Sequence, residues 1–263
     1  MIPEINLTFL SIFIFLGLVA GMLFFMEVGR RVNRYLLSQD PEAAKSGTGV
    51  VEGAVFSLVA LLIAFTFYGT AARFDERRQL VVQEANAIGT AWLRLDLLPG
   101  ASQPPLREKF RQYIATRIAF DEALPNLTAA SAELSKSTAL QTEIWAEAMA
   151  DCRDAGSSST TMLLMPALNE MFDICTTCTM AARLHTPLLI YGVLLLLVLA
   201  GSLLVGYGMA GGRKYNWFHS FAFIVTITLA MYLILDFEFP NVGLIRLAPF
   251  DQILVNLQQS MKP

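Results

Sequence analysis

Residues 53–78 read GAVFSLVALLIAFTFYGTAARFDERR, and the two halves of that stretch decide the fold. Gly53 to Ala72 is a run of 20 residues with no charge, the length that an α-helix needs to cross about 30 Å of hydrocarbon. The next six residues, Arg73 to Arg78, carry five charges. No chain turn is signalled between them. Phe74, Val81, Ile88 and Leu95 recur every seven residues, so the spacing predicts one helix running from lipid into water with an apolar stripe along it.

Three more uncharged runs of spanning length follow from the same reading: Leu7 to Met26, Pro187 to Gly212 and Tyr215 to Leu235. The first is not a secretory signal, because its positive charge, Arg30, Arg31 and Arg34, comes after the apolar run instead of before it. Composition agrees with lipid as the solvent: 55% of the 263 residues are hydrophobic and only 16% charged, against about a quarter charged in soluble domains. The net charge of −3 excludes the basic footprint of a nucleic-acid binder. Three cysteines exclude a disulfide scaffold and leave at least one thiol unpaired within the chain.

The expected fold is therefore an all-α membrane protein with four transmembrane helices arranged as two hairpins. Residues 1–72 form the first hairpin, 73–186 an extramembrane helical domain, 187–236 the second hairpin and 237–263 a tail on the same side as the domain. Within the domain, helices are expected up to Pro99 and Gly100, after Pro104 and Pro105 as far as Pro125, over about Ala129 to Ala150, and from about Thr161 toward Pro187. Four spans place both termini and the domain on one side. The short hairpin loops hold Arg30, Arg31, Arg34, Lys45, Arg213 and Lys214, which puts those loops in the cytoplasm and the domain outside it. Arg73, Arg77, Arg78 and Arg183 flank the spans on the domain side and weigh the other way.

Small residues at four-residue spacing, Gly17 and Gly21 in span one and Gly49, Gly53 and Ser57 in span two, mark faces for close helix packing within a hairpin or between subunits. Phe65 and the large apolar residues around it fit either a hydrophobic constriction or a lipid-facing surface. The polar candidates for a pore mouth or collar are Arg73, Asp75, Arg77, Arg78, Glu84, Asn86, Arg94 and Asp96, with Asp236, Glu238 and Arg246 after span four. An ion pair from Asp236 or Glu238 to Arg73 or Arg77 would staple spans two and four together. Simple solvated charges are the alternative, since exposed pairs contribute only about 0–1 kcal/mol. Cys175 and Cys178 form a CxxC, with Cys152 upstream and His185 downstream. This is a thin zinc set with no second CxxC, and buried or surface thiols are the simpler reading. No catalytic triad, HExxH, P-loop or dinucleotide fingerprint occurs, so neither an enzyme nor a cofactor is expected.

The stretch from Phe65-Thr66-Phe67 through Arg73-Phe74-Asp75-Glu76-Arg77-Arg78 and on from Glu84 to Pro99 resembles the signature of the bestrophin-like domain proteins, as does the tail from Asp236 to Arg246. These are small four-span membrane proteins, mostly bacterial, whose function is not established. The resemblance covers nearly the whole chain. By analogy with true bestrophins, which are pentameric anion channels, it implies a pore along span two with the Arg73 cluster at its mouth. It also implies a cytosolic helical domain, contrary to the short-loop count. No acidic calcium clasp is present in the tail. The expected function is a homo-oligomeric, anion-preferring channel in a bacterial inner membrane, its partners being the lipid bilayer, copies of itself and a small anion. The rival is a non-enzymatic scaffold or sensor whose domain binds a protein or ligand. A redox enzyme built on Cys175 and Cys178 is the remaining class.

Overall fold

The computed structural model describes residues 7–39, 48–124, 126–209, 217–240, 244–245 and 248–261. Eight α-helices occur among them: α1 Leu7–Gln39, α2 Thr48–Arg94, α3 Gln103–Ala123, α4 Leu127–Asp154, α5 Ser158–Arg183, α6 Leu188–Gly208, α7 Trp217–Glu238 and α8 Ala248–Ser260. The helices α1, α2, α6 and α7 hold the four apolar runs. The all-α, four-span class read from the sequence is the class observed. The chain divides into two compact units, residues 1–72 with 185–245 and residues 73–184 with 246–263.

The membrane unit is organised around the contact of α1 with α6. Gly206 lies so close to α1 that a Cβ there would be 2.6 Å from the Met26 Cα and closer still to the Met26 carbonyl oxygen. Gly29 is its counterpart, where a Cβ would be 2.9 Å from the Tyr207 amide nitrogen and would collide with the Leu203 carbonyl. Asn33 Nδ2 donates to the Tyr207 carbonyl at 2.6 Å, one turn along the same contact. Leu18, Met22, Met26, Leu194, Val198, Ile224, Met231 and Ile234 fill the core beside it. The helix α1 runs past its apolar stretch because Glu27 accepts from Arg31 at 3.0 Å and meets Arg30 and Arg34 at 3.5 and 3.4 Å. The Arg30 and Arg31 pairs, at three- and four-residue spacing, with Arg34 two turns on, carry the helix into water.

The helical unit has its own core, with Ile88, Ala91 and Trp92 from the distal half of α2, Leu95 just beyond it, and Leu106, Phe110, Tyr113 and Ile114 from α3. Arg107 and Arg111 lie over the Trp92 ring at 4.5 and 5.6 Å, contacts worth about 0.5–1 kcal/mol each when exposed. Helix ends follow local chemistry. Pro104 and Pro105 sit in the first turn of α3, where missing amide protons cost nothing. The Asn126 side chain accepts from the Thr128 and Ala129 amides at 3.1 and 3.2 Å, capping α4. Gly156 takes the α4–α5 turn at φ +62°, a conformation that suits glycine. The C-terminal residues, read as a simple tail, form α8: Leu254 and Met261 are fully buried in this core, and Arg111 Nε donates to the Met261 carbonyl at 2.8 Å.

Candidate functional site

Of the four spans, α2 is the barest. Between residues 49 and 72 only Val59 and Thr70 are buried. Leu58, Leu61, Phe65 and Tyr68 are 47, 50, 64 and 73% exposed and recur at three- and four-residue spacing, which lines them up on one side of the helix. A Cβ at Gly17, Gly49 or Gly53 would meet nothing within 4 Å, whereas one at Gly21 would touch Leu199 at 3.2 Å. Ser57 returns its hydroxyl to the Gly53 carbonyl at 2.8 Å. The close approach within the chain therefore falls at Gly29 and Gly206, positions the sequence reading did not single out.

In the helical unit, the candidate collar residues have distinct employment. Arg77 is buried, and its Nε and Nη2 donate to the Ala181 and Leu184 carbonyls at 3.1 and 2.7 Å. It thus satisfies carbonyls that the end of α5 leaves without amide partners, and its charge suits that end of the helix dipole. Arg73 is half-buried, while Asp75 and Glu76 are exposed. Asp75 accepts from Gln79 at 3.0 Å and meets Arg78 at 3.5 Å. Asn86 is exposed. Arg94 Nη1 donates to the Leu163 carbonyl at 2.6 Å, and Asp96 is paired with Arg107.

The strongest electrostatic feature is one the sequence reading half missed. Glu84 is buried on α2 and accepts from Arg117 Nε and Nη2 of α3 at 2.5 and 3.3 Å. Arg117 has no measurable exposure and its guanidinium lies 4.8 Å over the Phe120 ring. Burial works against its charge, but the Glu84 carboxylate outweighs that and leaves its pKa above the ordinary value. The signal was present: Arg117 sits among Tyr113, Ile114, Ile118 and Phe120, where the apolar period of α3 calls for a hydrophobe. Gln141 of α4 reaches the buried Tyr113 hydroxyl at 3.3 Å.

The thiols lie nearby in chemistry as well as in sequence. Burial, followed by the Glu84 charge, pushes the Cys178 thiol well up, and its Sγ donates to the Leu80 carbonyl at 3.5 Å. A thiol held protonated is a poor nucleophile and a poor metal ligand. Cys152 and Cys175 are buried, and no group of three His, Cys, Asp or Glu side chains converges among the described residues. His185 belongs to the membrane unit, stacked on Phe239 at 4.9 Å with its Nδ1 3.4 Å from Glu238. Glu238 also accepts from the Thr186 amide and hydroxyl at 2.7 and 3.0 Å, closing the entry to α6. Asp236 Oδ2 accepts the Leu244 and Ile245 amides at 3.1 Å each, tying those two residues to the end of α7. Both carboxylates thus brace the membrane unit itself. Arg246 lies outside the described residues.

No family model and no curated protein matches the sequence. The fold has counterparts among solved structures. A bacterial Bestrophin homolog from Klebsiella pneumoniae is 17% identical, with 95% of this chain and 98% of that chain covered at a TM-score of 0.64. A point mutant of a bacterial Bestrophin homolog from the same organism is also 17% identical, with 94 and 96% covered at 0.67. A crystal structure of a membrane protein is 16% identical, with 92 and 97% covered at 0.67. At such identities it is the course of the backbone that is shared, and it is shared almost from end to end. The chain is a four-span membrane protein of bestrophin-like fold.

Proposed function

We propose that this protein assembles with copies of itself into a ring that conducts small ions, preferentially anions, along the bare side of α2. The observation that carries the reading is the near-absence of buried residues on the membrane portion of α2, against the many that α1, α6 and α7 bury. A central span that finds so few contacts inside its own chain is suited to face a shared axis. The bestrophin-like fold supports the same arrangement. Leu58, Leu61 and Phe65 then form the narrow apolar part of the path, which resists ions by staying dry. Arg73 and Arg78 supply positive charge near the mouth, offset in part by Asp75 and Glu76, while Arg77 serves the end of α5. No step of this reading requires a catalytic group or a cofactor.

Two measurements test it. Purified protein in planar bilayers should carry a current whose reversal potential follows the chloride gradient. Phe65→Ala should raise its conductance several-fold by wetting the constriction. A silent wild type together with a silent F65A variant would favour the scaffold reading, which draws on the single unbroken helix from Thr48 to Arg94 as a signal-carrying rod.

For sidedness in a bacterial inner membrane, the flanking arginines oppose the short-loop charge count. We give the short loops the greater weight and place the helical unit outside the cytoplasm. A cysteine introduced by Ser102→Cys on a cysteine-free background should react with a membrane-impermeant thiol reagent in intact cells. Labelling that appears only after lysis would reverse the orientation.

A further inference from the structure

Behind the bare side of α2 lies a half-open cavity of about 490 Å³ lined by α2, α6 and α7. Its walls include Val59, Ala60, Ile63 and Ala64 of α2, Gly201 of α6 and Ala230 of α7. At 100° per residue these α2 positions centre on the side away from Leu58, Leu61, Phe65 and Tyr68, with Ala64 at the edge nearest Tyr68. The small residues make the space: a Cβ at Gly201 would already reach the Phe56 ring at 3.4 Å. Two aromatic pairs bound it, Phe56 with Phe223 at 6.1 Å between ring centres and Phe67 with Phe237 at 5.6 Å. Phe56 and Phe67 are eleven residues apart, so the slot runs roughly 16 Å along the helix axis. The side chains named in its lining are uncharged, and Thr226 is the one hydroxyl among them.

We propose that this slot binds one hydrocarbon chain of a membrane lipid. The chemistry leaves little room for a polar ligand, which would lose its hydrogen bonds to water and find a single hydroxyl in exchange. Length and direction fit an extended acyl chain aligned with the spans, and the slot lies at the depth where such chains are the solvent. A void of this size would forfeit dispersion contacts along all three helices. A flexible chain recovers them without the shape matching that a second protein surface needs. The proposal concerns lipid binding alone and stands whether or not the assembly conducts.

Phosphatidylcholine vesicles carrying a mid-chain diazirine provide the test, read by mapping photo-crosslinks on the reconstituted wild-type protein. Labelling of Ala60, Ala64 and Ala230 should exceed that of Leu196 and Phe221, which are exposed on the outer surface of α6 and α7. Filling the slot with Ala230→Phe should lower the Ala60 and Ala64 signal several-fold and leave Leu196 unchanged. Ala64→Leu, a smaller insertion, should lower the Ala60 and Ala230 signal in the same direction. Unchanged Leu196 labelling reports that a variant has kept its membrane fold. Slot labelling no greater than at Leu196 in the wild type would overturn the proposal on its own. Labelling that persists in both filled variants would overturn it as well.

Discussion

Arg117→Met is expected to destabilise the helical unit by about 3–5 kcal/mol, the cost of leaving a buried charge without its partner. Glu84 would remain in the core with one side chain fewer to hold it, since both of its hydrogen bonds given above come from Arg117. Cys175 of α5 is 3% exposed and reports on opening of the helical unit. With Cys152 and Cys178 changed to serine, Cys175 in the Arg117→Met chain should react with a thiol reagent at least about a hundredfold faster than in its Arg117 parent, since each 1.4 kcal/mol is tenfold in an opening equilibrium. Adding Glu84→Met to Arg117→Met should recover part of the loss, because apolar replacement of a whole buried pair is often close to neutral. Equal protection of Cys175 with and without Arg117 would show that the pair does not hold this core.

Gly206→Val is expected to disrupt the membrane unit. Filling a packed site commonly costs about 1–3 kcal/mol, and here the obstacle is the backbone of α1 at Met26, which has no rotamer to yield. Far less monodisperse protein should survive extraction and mild heating than from wild type. Gly17→Ala is the control: its Cβ meets nothing within 4 Å, and a helix interior gains roughly 0.5–1 kcal/mol from alanine over glycine. If both variants survive heating alike, the α1–α6 contact is not the point of closest approach.

The contrast between those two glycines marks where the sequence stops speaking. Spans are legible because an uncharged run of about 20 residues has few other stable uses. The long helix α2 is legible because its seven-residue stripe does not break at the membrane edge. Which small residue meets which backbone depends on how α1 and α6 cross, a relation between segments more than 170 residues apart in the chain. Gly17 and Gly206 therefore look alike in sequence and differ in consequence. Glu84 was visible only as one charge in a polar run, since its partner lies on another helix. The bonds of Arg77 to the end of α5 were not legible, because nothing local reveals that α5 ends beside it. The helix α8 was readable in principle from Leu254, Leu257 and Met261, yet its 13 residues offer barely three turns of pattern.

The seat of α8 also bears on how the protein is made. Leu254 and Met261 complete a core that begins with α2, so that core cannot close while the ribosome is still working on α6 and α7. During that interval a face of the nascent helical unit stays open to whatever surrounds it. Chains that stop short of α8 would keep it open indefinitely. Such products should be recognised by chaperones and cleared by proteases, even with all four spans inserted, so that residues translated after the fourth span decide whether the earlier ones are retained.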